Sequence, residues 1–215
     1  ILHAAFGAAI EKSSATHWGD SSNKLSWLIG DLAALFPRAR FVHLVRDGRK
    51  VASSYFHKLG AECYPDAANA AMQAHYDGLA PAPPPQKPYW WPVPRRDDTM
   101  AAAFRRFDQF QRIAWHWAEV NRVAQAALAA LPKDRTLFVQ LETLRQEPQK
   151  LRQLYEFLGL AYQDSDFTLF ARPHNVNRPE DRLLTPVQRA QFDALAGPMM
   201  AALGYAGTPE YAVRY

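Results

Sequence analysis

An arginine and a serine eight positions apart, Arg46 and Ser54, have the types and spacing that point most directly to chemistry. A guanidinium donates two parallel hydrogen bonds to a phosphate, and a serine hydroxyl adds a third donor. The N-terminus of a helix favours an anion as well, because its first N–H groups have no partner within the helix. The pair therefore predicts an anion site. The alternative from the residues alone is that Arg46 pairs with Asp47 or another carboxylate and is only structural.

The residues around this pair predict a strand, a turn and a helix. Arg40–Val45 is short and nearly continuous in apolar residues, which is typical of a strand buried on both faces. Asp47 and Gly48 form the turn, and a helix is predicted from about Arg49 to Leu59. Ligands of parallel α/β sheets bind beyond the carboxyl ends of the strands, and this is where the sequence places Arg46.

The rest of the chain alternates helical and strand-like patterns. A second strand is predicted at Thr136–Leu141, a long helix at Asp98–Leu131 and a further helix at Pro148–Leu158. A C-terminal helix that begins at Pro186 is expected to break at Gly197-Pro198. This alternation predicts an α/β fold of three layers, with a parallel central sheet flanked by helices.

The composition limits the classes of protein that remain. The chain has 215 residues, which favours one domain over 1–215, and 25 basic against 21 acidic residues give a net charge of +4. A mild positive charge suits an anionic ligand as well as a nucleic acid. No apolar stretch is long enough for a transmembrane segment. The only cysteine, Cys63, excludes an internal disulfide and predicts a reducing, cytoplasmic location.

A segment rich in proline and aromatic residues interrupts the regular pattern. Pro81–Pro94 holds seven prolines beside Tyr89, Trp90 and Trp91, and it predicts an irregular insert at about residues 81–97. We expect this insert near the mouth of the site, on the same side of the sheet as Arg46, where its rings would contact an acceptor. The alternative is a packed surface loop.

The Arg46 segment resembles the 3′-phosphate-binding segment of the sulfotransferases that use 3′-phosphoadenosine 5′-phosphosulfate (PAPS). In that family an arginine at the end of a strand and a serine eight residues later hold the 3′-phosphate, so the resemblance gives this role to Arg46 and Ser54. Three further parts of the chain are similar to the family in the same order: Leu35–Arg40, Val139–Leu144 with the helix up to Phe157–Leu160, and Leu203–Tyr205.

The resemblance implies a nucleotide-kinase-like (P-loop-like) topology and transfer of a sulfonyl group from PAPS to a hydroxyl or amine acceptor of unidentified class. It implies PAP as the product nucleotide, no metal and no nucleic-acid partner. Asp20 or His17 would take the acceptor's proton. Lys24 would partly replace a lysine that related enzymes have where Ser21 stands here. The alternative role for Asp20 is the N-cap of a helix that starts near Asn23.

The resemblance also covers a polar loop at Arg172–Arg178. Related enzymes place residues of the loop corresponding to Arg172–Arg178 against the nucleotide, and Arg178 is the residue we select there.

The sequence departs from the family near its N-terminus. The Gly/Ser/Thr-rich loop that would bind the phosphosulfate is missing. Gly7–Ser13 only echoes a phosphate loop, because Glu11 stands where a glycine is required and Lys12 comes one residue early. We therefore expect an N-terminally truncated domain that is inactive by itself.

Two other functions remain open. A nucleotide-kinase-like phosphate-loop enzyme would share the sheet, but it needs the missing loop and a ligand for Mg²⁺. A basic nucleic-acid-binding module would gather Lys and Arg on one face, whereas acids and bases alternate through Asp97–Glu119 and Arg145–Glu156. The oligomeric state is not predicted.

Overall fold

The computed structural model describes residues 2–172 and 183–209. The chain divides into two compact units, Ile1–Val45 with Val120–Asp164 and Arg46–Glu119 with Ser165–Tyr215. A single domain over 1–215 stays a prediction. In the described residues the strands and α-helices are β1 (Phe41–Val45), β2 (Thr136–Gln140), α1 (Leu2–Lys12), α2 (Ile29–Leu35), α3 (Gly48–Lys58), α4 (Asp66–Tyr76), α5 (Ala101–Phe104), α6 (Gln109–Ala129), α7 (Leu141–Gln146), α8 (Pro148–Leu158), α9 (Asp164–Ala171) and α10 (Pro186–Ala202).

The first unit contains the sheet. Strands β1 and β2 run parallel, with Phe41 opposite Thr136 and Val45 opposite Gln140. The predicted α/β class, with parallel strands flanked by helices, is therefore confirmed. Arg135, just before β2, joins the sheet to the end of α2, because its guanidinium donates to the carbonyl oxygens of Ala33, Phe36 and Ala39 at 3.3, 3.1 and 3.0 Å.

The expectation that β1 is buried on both faces is wrong. Val45 on β1 and Val139 on β2 are buried, but Leu44 is 51% exposed and Phe138 is 48% exposed. In the described residues each strand has one neighbouring strand, so apolar side chains near the sheet edge stay uncovered. An apolar, β-branched run predicts a strand, but it does not predict that both faces of the strand are buried.

Local stop signals predicted helix α8 correctly. The helix covers Pro148–Leu158, as expected, and ends at Gly159, whose φ of 73° lies in the left-handed region that favours glycine. The guanidinium of Arg40 donates to the carbonyl oxygen of Phe157, one of the last carbonyls of this helix. The end of α8 is thus tied to the residue that precedes β1.

Two predictions about helices are wrong. The long helix predicted at Asp98–Leu131 is interrupted: α5 ends at Phe104 and α6 begins at Gln109. Asp108 starts the new helix, because its carboxylate accepts from the N–H of Gln111 at 2.8 Å and the Gln111 side chain accepts from the N–H of Asp108 at 2.9 Å. This reciprocal pair is a capping box, which satisfies two helix-end donors.

The break expected at Gly197-Pro198 is absent. Helix α10 continues through Pro198 to Ala202. Proline removes one helical hydrogen bond, and the buried side chains of Ala196 and Met200 on either side keep the helix packed. Tertiary packing outweighs the local signal here.

His43 on β1 gives the first unit a pH-dependent stability. Its Nε2 lies 2.9 Å from Asn121 Oδ1, and its ring meets Phe138 edge-on. Burial lowers the pKa of His43 below its usual value of 6.5. Above about pH 6.5 the histidine is neutral in both folded and unfolded chains; below it, the unfolded chain takes up a proton that the folded chain resists.

We therefore expect the free energy of unfolding to fall as pH decreases below about 6.5, and His43→Gln to flatten this dependence. Urea titrations between pH 7.5 and pH 5 measure the effect. His57→Gln, at an exposed histidine of α3, is the matched control and should keep the wild-type slope. An unchanged slope in His43→Gln would contradict the prediction.

Candidate functional site

A fully buried carboxylate organises the turn that follows β1. Asp47 is 1% exposed and forms the N-cap of α3, accepting from the N–H of Arg49 at 2.9 Å. It also accepts from Arg49 Nε at 3.0 Å and from Arg49 Nη2 at 2.7 Å. The guanidinium of Arg49 donates further to the carbonyl oxygen of Thr208 at 3.2 Å. The cation that compensates Asp47 is therefore Arg49, and the alternative pairing of Arg46 with Asp47 is not formed.

Gly48 allows this turn to pack against two aromatic rings. A Cβ at Gly48 would lie 2.7 Å from Phe192 on α10 and 2.7 Å from Trp117 on α6. Phe192 is fully buried, Trp117 nearly so, and their ring centroids lie 5.9 Å apart. The N-terminus of α3 is thus fixed by the core of the second unit.

Arg46 and Ser54, the predicted phosphate ligands, keep their donors available. Both residues are half-buried. Over residues 2–172 and 183–209, neither the Arg46 guanidinium nor the Ser54 hydroxyl has a hydrogen-bond or ion-pair partner, whereas Asp47, Arg49 and the buried Ser53 all have partners. The segment therefore separates residues that hold the turn from residues that can bind a ligand.

The three predicted catalytic residues lie in the first unit. Asp20 is exposed and accepts from the N–H of Ser22 at 2.7 Å. Ser22, not Asp20, is the N-cap of the short 3₁₀ helix Asn23–Leu28, since its side chain accepts from the N–H of Lys24 at 3.3 Å. The N-cap alternative for Asp20 is therefore wrong. His17 is exposed and shares a 3.1 Å hydrogen bond with Thr16. Lys24 is half-buried.

Two further expectations concern the ends of the chain. Arg178 lies outside the described residues.

The segment Gly7–Ser13, which resembles a phosphate loop only weakly, lies in helix α1 as far as Lys12. A regular helix cannot wrap its N–H groups around a phosphate in the way that a glycine-rich loop does, because those groups bond within the helix. The rejection of this segment as a phosphate loop is confirmed.

The proline-rich insert is irregular, with one 3₁₀ turn at Lys87–Tyr89. Its tryptophans differ. Trp91 donates from Nε1 to the carbonyl oxygen of Glu62 at 2.6 Å, and its ring meets Tyr55 and His116 edge-on at centroid distances of 5.6 and 5.3 Å. Trp90 is 52% exposed. Tyr55 follows Ser54 directly, so the insert is held against the helix that carries Ser54.

Tyr64 holds the insert in place, and sequence reasoning missed it. Its hydroxyl donates to the carbonyl oxygen of Pro92 in the insert and lies 3.2 Å from His116 Nδ1. Burial raises the pKa of this hydroxyl well above its usual value, so it stays protonated and remains a donor. Its φ of 54° is unusual for a residue other than glycine. No pattern in the sequence marks it, since its partners lie 28 and 52 positions away.

Gly48→Ala should lower the free energy of unfolding by about 1–3 kcal/mol, the usual cost of forcing a methyl group into a packed core. The control is Gly30→Ala on α2, where an added Cβ meets nothing within 4 Å. That variant should be neutral or more stable by up to about 1 kcal/mol, because alanine favours the helix. Urea unfolding measures both. Equal changes in the free energy of unfolding would show that contact with Phe192 and Trp117 does not limit the size of the side chain at position 48.

Trp91→Ala should cost about 2–4 kcal/mol of stability, because it removes a packed ring and the hydrogen bond to Glu62. Trp90→Ala, at the adjacent exposed ring, should stay within about 0.5 kcal/mol of wild type. Thermal and urea unfolding of the two variants give the comparison. Similar losses in both would contradict the assignment of Trp91 as the anchor.

In residues 2–172 and 183–209, no group of three or more His, Cys, Asp or Glu side chains is placed to hold a metal ion. None of the helices in them combines the length and the apolar character that crossing a membrane requires.

Comparison with known proteins gives a family match and a structural likeness. Residues 2–89 match the sequence model described as the sulfotransferase family. The chain is also similar to the solved sulfotransferase domain from the curacin biosynthetic pathway, with a TM-score of 0.48 and 15% sequence identity, over 88% of this chain and 52% of that one. It thus spans about half the length of that structure. No curated protein sequence matches.

The matched residues contain His17, Asp20, Lys24, Arg46 and Ser54. The resemblance to sulfotransferases that the sequence predicts is therefore confirmed, and the match to that family lies over residues 2–89.

Proposed function

We propose that this chain is part of a PAPS-dependent sulfotransferase and that Arg46 and Ser54 bind the 3′-phosphate of the nucleotide. One observation carries the proposal. Within the segment that matches the sulfotransferase family, the two residues at the spacing of a phosphate site are half-buried and, in the described residues, have no protein partner. Polar groups that are partly removed from water and lack a protein partner are well suited to a ligand.

The donor set fits a phosphate dianion. Arg46 offers a planar fork of N–H groups, Ser54 a hydroxyl, and the eleven-residue helix α3 the positive end of its dipole. The one carboxylate at the start of the helix, Asp47, is compensated by Arg49 at 2.7 Å and so does not oppose an anion. A buried, unpaired Asp47 would have repelled the ligand.

The chemistry that follows belongs to the same proposal. When bound, PAPS supplies a sulfonyl group for in-line transfer to a hydroxyl or amine of the acceptor. His17 or Asp20 takes the proton of that acceptor, and Lys24 adds a positive charge. All three lie in the segment that matches the family. A cytoplasmic location is also proposed, and the single free thiol, Cys63, supports it.

Calorimetric titration with two nucleotides tests the phosphate site. PAP carries a 3′-phosphate, and adenosine 5′-phosphate does not. Arg46→Ala should weaken PAP binding by about 1.5–3 kcal/mol, the cost of losing charge-assisted hydrogen bonds, and Ser54→Ala by about 0.5–1.5 kcal/mol. Binding of adenosine 5′-phosphate should hardly change, because the lost contacts involve the 3′-phosphate.

Arg38→Ala is the matched control. It removes the same charge from an exposed position and should leave PAP affinity unchanged. No PAP binding by the wild-type chain, or equal losses for both nucleotides in Arg46→Ala, would contradict the proposal. Tighter binding of ATP with Mg²⁺ than of PAP would favour the nucleotide-kinase-like alternative instead.

A further inference from the structure

A cavity in the second unit lies apart in sequence from Arg46 and Ser54. Its volume is about 250 Å³, and it lies between the end of α4, the end of the insert, and α5. The residues that line it are Gln73, Tyr76, Val93, Pro94, Arg95, Arg96, Ala101, Phe104 and Arg105. All belong to the same compact unit.

The walls of the cavity are apolar and partly aromatic. Phe104 is almost fully buried, Tyr76 is 44% exposed, and Val93 and Pro94 contribute aliphatic surface. A cavity of about 150 Å³ lined by apolar groups takes up benzene, whereas sites for drug-sized ligands start at about 300 Å³. The space here therefore suits one aromatic ring with a short substituent.

The rim of the cavity carries positive charge. Three of the lining residues are arginines, and none of them is acidic. Arg105 is compensated by Asp77 through two hydrogen bonds of 2.7 Å, which lower the pKa of the Asp77 carboxyl. Arg95 and Arg96 are exposed, and within the described residues neither forms a hydrogen bond to a carboxylate, although the charge of Arg96 also helps to lower the pKa of Asp77. The nearby Asp98 uses its side chain to accept from the N–H of Met100 at 2.7 Å.

We propose that this cavity binds a small aromatic carboxylate. The ring packs between Tyr76 and Phe104, and the carboxylate is held at the rim by Arg95 and Arg96. Each part answers one feature described above: the apolar walls and two exposed guanidinium groups that form no hydrogen bond to a carboxylate in the described residues. The proposal concerns binding alone and does not depend on sulfonyl transfer.

Phenylacetate is the probe, and 2-phenylethanol, which has the same ring without the charge, is the control ligand. Titrations of the full chain at millimolar ligand, followed by NMR shifts or calorimetry, should show tighter binding of phenylacetate. The double variant Arg95→Ala/Arg96→Ala should weaken phenylacetate about tenfold or more and leave 2-phenylethanol unchanged. Because both arginines are exposed, the variant should keep the wild-type melting temperature.

A charge control completes the test. Arg38→Ala removes a charge elsewhere and should leave phenylacetate binding unchanged. Equal binding of the two ligands, no binding of phenylacetate, or undiminished binding in the double variant would overturn the proposal. PAP affinity in the double variant should match wild type, so failure here is distinguishable from failure of the phosphate site.

Discussion

The buried ion pair between Asp47 and Arg49 determines the local structure after β1. Moving the Asp47 carboxylate out of water is expensive unless charge and hydrogen bonds compensate it. The backbone N–H and the guanidinium of Arg49 together do both. The same contacts fix where α3 begins, bring Gly48 against Phe192 and Trp117, and remove the nearest carboxylate from competition for Arg46. The availability of Arg46 is thus a consequence of how Asp47 is satisfied.

Much of the fold could be predicted because its signals are local. The strands β1 and β2, helix α3 and the end of α8 at Gly159 follow from short apolar runs, helical periodicity and a glycine stop. The errors have a shared cause. The break before α6 depends on a capping pair, Asp108 and Gln111, inside an apolar pattern that looked continuous. The continuity of α10 depends on packing that outweighs Pro198.

The candidate site also has features that local sequence predicts and features that it does not. Arg46 and Ser54 could be selected because both lie on one strand–turn–helix segment, where sequence spacing determines spatial arrangement. The contacts of Trp91 with Tyr55 and His116 join parts of the chain that are distant in sequence, as do the walls of the cavity next to Gln73. Periodicity and composition hold no information about such pairings. For the same reason the exposure of Leu44 could not be read from an apolar strand.

The way the insert is attached leaves its proline-rich beginning exposed between two fixed points. Upstream, His75 Nδ1 donates to the carbonyl oxygen of Ala80 at 3.3 Å, and downstream Trp91 and Pro92 are bound by Glu62 and Tyr64. Residues 81–86 between these attachments are mostly exposed and form no helix or strand. Inserting residues at such exposed, irregular positions changes the free energy of folding only slightly. This stretch is therefore where an epitope or a fluorescent reporter can be spliced into the chain while both attachments keep their register.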